Sequence, residues 1–134
     1  SGESLSYQQE DIVARGAVME CRINAEDPYA NFRPSPGLIK KWIPPGGPCV
    51  RLDTHIHQGA SIPPNYDSLI AKLLVHQPTR EKALACMRRA LRELQCEGIK
   101  TTVPICLAMM NDENFINGTV DTTFIERTWQ VDQT

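Results

Sequence analysis

Apolar and polar residues alternate along three segments in the first half of the chain, and a period of two predicts β-strands. In the segment 17–23, Met19 and Cys21 take one face and the charged residues Glu20 and Arg22 take the other. The alternation returns over 38–43 and again over 49–57. Between the first two segments, residues 24–37 are rich in proline and other turn-forming residues, which predicts turns and excludes a helix.

The segment 69–76 is mostly apolar and is interrupted by Lys72. A run of this length is typical of a buried strand, but a short buried helix gives the same pattern. Periodicity therefore leaves both interpretations open for this segment.

The clearest helix is predicted over 79–95, where apolar residues recur at three- and four-residue spacing. Thr79 can cap its N-terminus, and Gly98 can stop it beyond its C-terminal end. The apolar stripe expected to face the core consists of Leu84, Met87, Leu91 and Leu94.

Shorter helices are predicted over 104–110, opened by a proline, and over 111–117, ended by Gly118. A capping box from Thr123 to Glu126 predicts one more helical turn. Because strands come first and helices follow, the pattern predicts an α+β fold. The apolar residues of the last turn are Phe124, Ile125 and Trp129.

Composition narrows the class of protein. The chain has 134 residues, with 14 Lys and Arg against 16 Asp and Glu, so its net charge is −2. Apolar residues make up 41% and charged residues 22%, as in one soluble folded domain. This near-neutral charge argues against nucleic-acid and anionic-membrane binders. No apolar run reaches the roughly 18 residues that span a bilayer, and residues 1–10 lack the order of a signal peptide.

The five cysteines point to a reducing compartment. Their number is odd and none forms a C-x-x-C pair, which argues against a disulfide framework and a zinc ribbon. Cys86 and Cys106 lie in apolar stretches and are expected to be small buried residues. We therefore expect the protein in the cytoplasm or an organelle matrix.

The polar face of the segment 49–57 carries the first candidates for chemistry. Asp53, His55 and His57 are two residues apart and could ligate a metal ion. Neighbours on a strand face are roughly 6.5 Å apart, so chelation also needs a ligand from elsewhere. Solvated polar side chains are the favoured interpretation, and no metal is expected.

Arg51 lies on the same face, directly after the proline- and glycine-rich turn 44–48. A guanidinium there has a planar fork of donors that suits a carboxylate, bicarbonate or a developing oxyanion. An ordinary salt bridge with Asp53 or Glu20 is the alternative.

Seven strings of residues, in order along the chain, resemble a single family, the C-terminal domain of biotin carboxylases. The resemblance extends over about residues 16–127 with nearly no gaps. The strings are E-C-R-I-N-A-E-D-P (20–28), P-S-P-G (34–37), P-G-G-P (45–48), V-R-L-D-T-H-I (50–56), P-P-N-Y-D-S-L-I-A-K-L (63–73), G-I-K-T-T (98–102) and N-D-E-N-F (111–115).

The resemblance implies an antiparallel β-sheet with the C-terminal helices packed against it. It also implies a ligase reaction in which ATP activates bicarbonate and carbon dioxide then passes to biotin on a carrier protein. Similarity to the bacterial type favours acetyl-CoA carboxylase, and hence fatty acid biosynthesis. Arg51 matches the family arginine that stabilises the enolate of biotin. Thr122 matches a residue that packs on adenine and is usually apolar in relatives.

The resemblance further implies that this chain is one domain of a larger enzyme. The ATP-grasp domain, with its glycine-rich lid and its magnesium-binding glutamates, has no counterpart in this sequence. ATP and Mg are therefore expected to bind elsewhere, no cofactor is expected to bind tightly here, and the chain alone is expected to be inactive. We place the domain at 16–129, after a lead-in at 1–15 and before a tail at 130–134.

The partners implied are the ATP-grasp domain, a biotin carboxyl carrier protein and a second copy in a homodimer. The segment matching 72–80 carries dimer contacts in bacterial relatives, which makes His76 and Arg80 the interface candidates. A solvated edge is the alternative for those two residues. The alternative function for the whole chain is a non-catalytic module that holds a carboxylase dimer or docks a carrier.

Overall fold

A computed structural model describes residues 2–129, and the expected tail at 130–134 lies outside these residues. Strands dominate the first part of the chain and helices the second, so the α+β prediction is confirmed. The strands are β1 (Ala17–Asn24), β2 (Glu26–Asp27), β3 (Arg33–Pro34), β4 (Gly37–Leu38), β5 (Lys41–Ile43), β6 (Val50–Thr54), β7 (Ser61–Ile62), β8 (Leu69–Gln77) and β9 (Gln95–Glu97). The helices are α1 (Arg80–Glu93), α2 (Val103–Met109), α3 (Glu113–Asn117) and α4 (Phe124–Thr128), preceded by a 3-10 turn at Gln9–Asp11.

The central sheet has three antiparallel strands in the order β1-β8-β6. The open choice for residues 69–76 is thus settled in favour of a strand, which β1 and β6 flank on either side. Leu73 lies opposite Cys21 on one neighbour and Leu52 on the other, and its side chain is 0% exposed. Lys72 and His76 point to the other face and are exposed, as a period of two requires.

Helix α1 covers the inner face of this sheet. Thr79 caps it as predicted, since its hydroxyl accepts the backbone N–H of Lys82 at 3.3 Å. The predicted stripe is confirmed, because Leu84, Met87 and Leu91 are buried together with Ala83 and Ala90. These side chains and the inward residues of β1 and β8 form the core.

The C-terminal end of α1 differs from the prediction. The helix gives way at Leu94, and residues 95–97 form β9, which pairs with β5. Gly98 is not a helix stop but has a φ of +106°, and a Cβ there would lie 2.1 Å from the carbonyl oxygen of Leu38. The glycine is needed because two backbone segments meet at this point.

Two arginines of α1 hold the shorter helices in place. Arg88 donates to the carbonyl of Met110 at 2.8 Å, just beyond α2. Arg80 donates to the carbonyls of Phe115 and Ile116 in α3. Helix ends leave carbonyls without partners inside the helix, and these guanidinium groups supply the missing donors.

The last two helices confirm one predicted signal and contradict another. Gly118 ends α3 in the left-handed conformation with a φ of +72°, as predicted. Thr123 does not form the predicted capping box, because its side chain caps no α4 N–H group. Its hydroxyl and its backbone N–H instead donate to the carboxylate of Asp121, at 2.8 and 2.9 Å. The side chain of Trp129 then donates to the carbonyl of Pro28 at 2.7 Å and ties the end of α4 to the turn between β2 and β3.

Three smaller points complete the fold. The segment 24–37 contains the short pair β2 and β3 besides the expected turns, and the strand expected over 38–43 is split into β4 and β5. Cys21 is the fully buried cysteine, whereas Cys86 and Cys106 are only partly buried. Among the helices of residues 2–129, each is too short or too polar to cross a membrane.

Candidate functional site

The backbone at Arg51 is fixed by its position in the central sheet. The residue lies on β6, where Val50 and Leu52 turn inward and Arg51 turns outward, so the predicted alternation is confirmed there. The preceding turn is attached to α1, because Arg89 donates to the carbonyl of Gly46 at 3.2 Å. The backbone before Arg51 is therefore held by α1, and β6 itself is held by its pairing with β8.

The Arg51 guanidinium forms a two-pronged ion pair with Asp53. Its Nε donates to Oδ1 at 2.9 Å and its Nη2 donates to Oδ2 at 2.8 Å. Of the two partners considered, Glu20 is excluded by the order of strands, since β8 lies between β1 and β6. The hydrogen bonds to Arg51 lower the pKa of Asp53, and the charge of Lys72 lowers it further. The same bonds raise the pKa of Arg51, so both groups stay charged at neutral pH.

These side chains belong to what we call the open face, the side of the central sheet turned away from α1. Its middle contains a shallow hollow of about 340 Å³ beside Arg51, Leu74 and His76. Positive and negative side chains are mixed here, and Arg51 remains 73% exposed despite its ion pair. The residues of the open face are Val18, Glu20 and Arg22 on β1, Lys72, Leu74 and His76 on β8, and Cys49, Arg51 and Asp53 on or next to β6.

The residues of the metal hypothesis do not share one strand face. Strand β6 ends at Thr54, so His55 and His57 lie in the loop beyond it. His57 Nδ1 lies 2.9 Å from the carbonyl oxygen of Gln58. Across residues 2–129, no three His, Cys, Asp or Glu side chains are grouped so that they could hold a metal ion.

The two interface candidates point in different directions. His76 lies on the open face, and its Nε2 is 2.8 Å from the carbonyl oxygen of Arg15 in the lead-in. Arg80 lies at the start of α1, where its guanidinium is 5.3 Å from the centre of the Phe115 ring. Both side chains are exposed. Arg80 has a role within the chain that the sequence did not suggest, because its guanidinium donates to two carbonyls of α3.

Thr122 is exposed in the turn just before α4. Within residues 2–129 no hydrogen bond or ion pair joins it to Arg51. Lys72, by contrast, was not singled out from the sequence, yet it lies directly opposite Asp53 in the register of β6 and β8. The signal in the sequence that could have identified Lys72 was that it is a single charged residue inside the apolar run 69–76.

Comparisons with known proteins give a consistent result. A family model described as the biotin carboxylase C-terminal domain matches residues 20–127. The chain is 52% identical to the chloroplastic biotin carboxylase of Arabidopsis thaliana, over 92% of this chain and 23% of that protein. It is 51% identical to biotin carboxylase 1 of Bacillus subtilis, over 94% of this chain and 28% of that protein.

A solved structure agrees with these sequence matches. The biotin carboxylase domain dimer of the Hydrogenobacter thermophilus 2-oxoglutarate carboxylase, in complex with MgADP, ADP and bicarbonate, superposes with a TM-score of 0.91. It is 45% identical and is matched over 94% of this chain and 28% of its own. The chain thus spans about a quarter of the length of the proteins it matches.

Proposed function

The chain belongs to the biotin carboxylase C-terminal domain family, as the resemblance predicted, and we propose that it supplies Arg51 to the site at which a biotin carboxylase carboxylates biotin. The longer enzyme would use ATP and bicarbonate to place a carboxyl group on biotin held by a carrier protein. We assign it to the first half-reaction of acetyl-CoA carboxylase or a related carboxylase, because the Arabidopsis and Bacillus relatives at 51–52% identity are biotin carboxylases and the matched structure belongs to a 2-oxoglutarate carboxylase.

The observation that supports this role is the presentation of Arg51. Carboxylation at a ureido nitrogen builds negative charge on the adjacent oxygen, and a fixed donor aimed at that oxygen stabilises the charge. Arg51 has a fixed backbone and a permanent positive charge, and it faces outward where a second domain can bring the substrate. Removing one such donor from an enzyme typically lowers kcat by about 10²–10³.

The remaining components belong to the rest of the enzyme in this proposal. The described residues offer no cluster of ligands for Mg²⁺, and Thr122 is a polar residue where an apolar contact for adenine is expected. ATP and Mg²⁺ would therefore be held by the ATP-grasp domain, and the isolated chain would be inactive. The exposed apolar residues of the lead-in, Leu5, Tyr7, Ile12 and Val13, would be covered by that domain.

Arg51→Ala and Arg51→Lys in the full-length enzyme test the catalytic role. We expect biotin-dependent ATP turnover to fall by about 10²–10³ for Arg51→Ala while KM for ATP is unchanged. Arg51→Lys should recover little of the loss, because an ammonium lacks the planar fork. Arg22→Ala is the matched control, since Arg22 is also exposed on the open face but lies on β1. Unchanged turnover in Arg51→Ala would leave Arg51 a surface ion-pair residue.

A second candidate function is assembly of a homodimer, in which the chain holds two copies together or docks a carrier without taking part in catalysis. The dimeric state of the Hydrogenobacter structure supports it, together with the outward position of His76. We expect His76→Ala in the full-length enzyme to weaken dimerisation in sedimentation velocity, whereas Arg92→Ala, on the solvent side of α1, does not. Equal sedimentation of both variants would remove His76 from the interface.

The cellular location that we propose is based on the relatives and on the free cysteines. The Arabidopsis relative is chloroplastic and the Bacillus relative is bacterial. The five free cysteines of this chain suit a reducing compartment, and we propose the cytoplasm.

A further inference from the structure

Asp53 engages one particular side of the Arg51 guanidinium. The carboxylate accepts from Nε and from Nη2, in two nearly equal bonds of 2.9 and 2.8 Å. A guanidinium has five N–H donors in a fixed plane, so this pairing uses two of them. Both donors of Nη1 and the second donor of Nη2 have no hydrogen-bond partner within residues 2–129.

The pairing depends on charges that the sheet places around Asp53. Arg51 precedes it by two residues on the same face of β6, and Lys72 lies opposite it on β8. Arg22 is the next residue across the sheet, since it lies opposite Lys72 on β1. The nearest acidic residue of the open face, Glu20, is two strands away from Arg51 and does not compete for it. The carboxylate is thus held between two cations and engages the nearer one.

We propose that Asp53 is a positioning residue, which locks the Arg51 guanidinium so that its free Nη1–Nη2 edge faces the reacting group on biotin. This inference rests on the proposed function of Arg51 and names the group through which that arginine is aimed. Without the carboxylate, an arginine that is 73% exposed would sample many rotamers, and misplacement of a catalytic group by about 1 Å can cost 10²-fold in rate.

The test uses Asp53→Ala and Asp53→Asn in the full-length enzyme, each alone and combined with Arg51→Ala. We expect Asp53→Ala to lower biotin-dependent kcat by about 10–100-fold with KM for ATP unchanged. Asp53→Asn should lose less, because its amide oxygen can still accept one N–H. In the Arg51→Ala background neither change should lower kcat further, since a positioning residue acts only through the group it positions. Asp121→Asn is the matched control, because Asp121 forms a similarly exposed pair with Arg127 at 3.1 Å.

The outcomes separate this inference from the proposed function. Loss of turnover in Arg51→Ala together with normal turnover in Asp53→Ala would overturn the positioning role and keep the function of Arg51. Normal turnover in Arg51→Ala would overturn both. An equal loss from Asp53→Ala with and without Arg51 would show that Asp53 acts independently, which also overturns the inference. A loss in Asp121→Asn as large as that in Asp53→Asn would assign the effect to surface charge in general.

Discussion

The C-terminal end of β1 is covered on its outer edge by Thr102, which is 7% exposed. Its hydroxyl accepts the backbone N–H of Asn24 at 3.0 Å and donates to the carbonyl of Arg22 at 3.1 Å. Its own backbone N–H donates to the carbonyl of Asn24 at 3.1 Å. Because β1 is an edge strand of the sheet formed by residues 2–129, no further strand there pairs with these groups, and Thr102 takes the place of one.

Thr102→Val tests this arrangement while keeping the shape of the side chain. The change leaves one backbone N–H and one carbonyl in a partly buried position without the hydroxyl, and each such group costs about 1–3 kcal/mol. Because an edge admits some water, each group is expected to cost about 1–2 kcal/mol, and the two together lower the free energy of unfolding by about 2–4 kcal/mol. For a chain of 134 residues this corresponds to a fall in Tm of about 10 °C.

Thr102→Ser provides the control, because it keeps the hydroxyl and removes one methyl group, at a cost of about 0.8 kcal/mol. Urea unfolding followed by circular dichroism gives both free energies, and equal m-values would show that the comparison is valid. If Thr102→Val proves as stable as the wild type, or more stable than Thr102→Ser, water satisfies these groups equally well and the closure of the edge is not stabilising.

Three further predictions concern the sheet and its thiols. Cys49 has a φ of +65°, a left-handed conformation that strains any residue with a Cβ, so Cys49→Gly should stabilise the chain by about 0.5–1 kcal/mol. Cys49→Ala keeps the Cβ and the strain and should not stabilise it, so an equal urea midpoint for the two variants would contradict this reasoning. Cys49 is exposed and should react with a thiol reagent in the native chain. Cys21 should react only after unfolding, because its hydrogen bond with Cys106 and its burial raise its pKa, and labelling of Cys21 in the native chain, detected by mass spectrometry, would contradict this. Leu73→Ala should lower the free energy of unfolding by about 3–5 kcal/mol, and Leu74→Ala, on the open face, should lower it clearly less. Similar losses of stability in the two variants would mean that the two faces of the sheet are not buried differently.

The elements that sequence predicted well are those decided by local interactions. The N-terminus of α1 depends on Thr79 and an N–H three residues away, and the end of α3 depends on the left-handed conformation of Gly118. Both signals act within one helical turn, so no knowledge of the rest of the fold was required.

The elements that the sequence left open or predicted wrongly are decided by segments far apart in the chain. Leu69–Gln77 is a strand because β1 and β6 pair with it on both sides, and neither pairing is visible in the run itself. The prediction that Gly98 stops α1 is wrong, because glycine is typical both of a helix end and of a close approach of two backbones. Only the position of Leu38, sixty residues earlier, distinguishes the two roles.

The candidate site follows the same division. The sequence offered two salt-bridge partners for Arg51, namely Asp53 and Glu20, and both lie on the polar faces of their strands. The order of strands decides between them, because two strand spacings of about 4.8 Å separate Glu20 from Arg51. The contribution of Lys72 required the register of β8 against β6, which no local pattern encodes.

Arg80 shows why a residue carried over from relatives needs its contacts before it is tested. The resemblance suggested a contact between two copies, yet the same guanidinium donates to two carbonyls of α3 and lies over Phe115. A substitution at Arg80 would therefore release α3 whether or not the residue also contacts a second copy. Within residues 2–129 the side chain of His76 has one hydrogen-bond partner, the carbonyl of Arg15 in the lead-in, so its removal breaks no bond to a helix. A loss of dimer in the His76 variant would consequently report on the interface, whereas the same loss in an Arg80 variant would combine two effects.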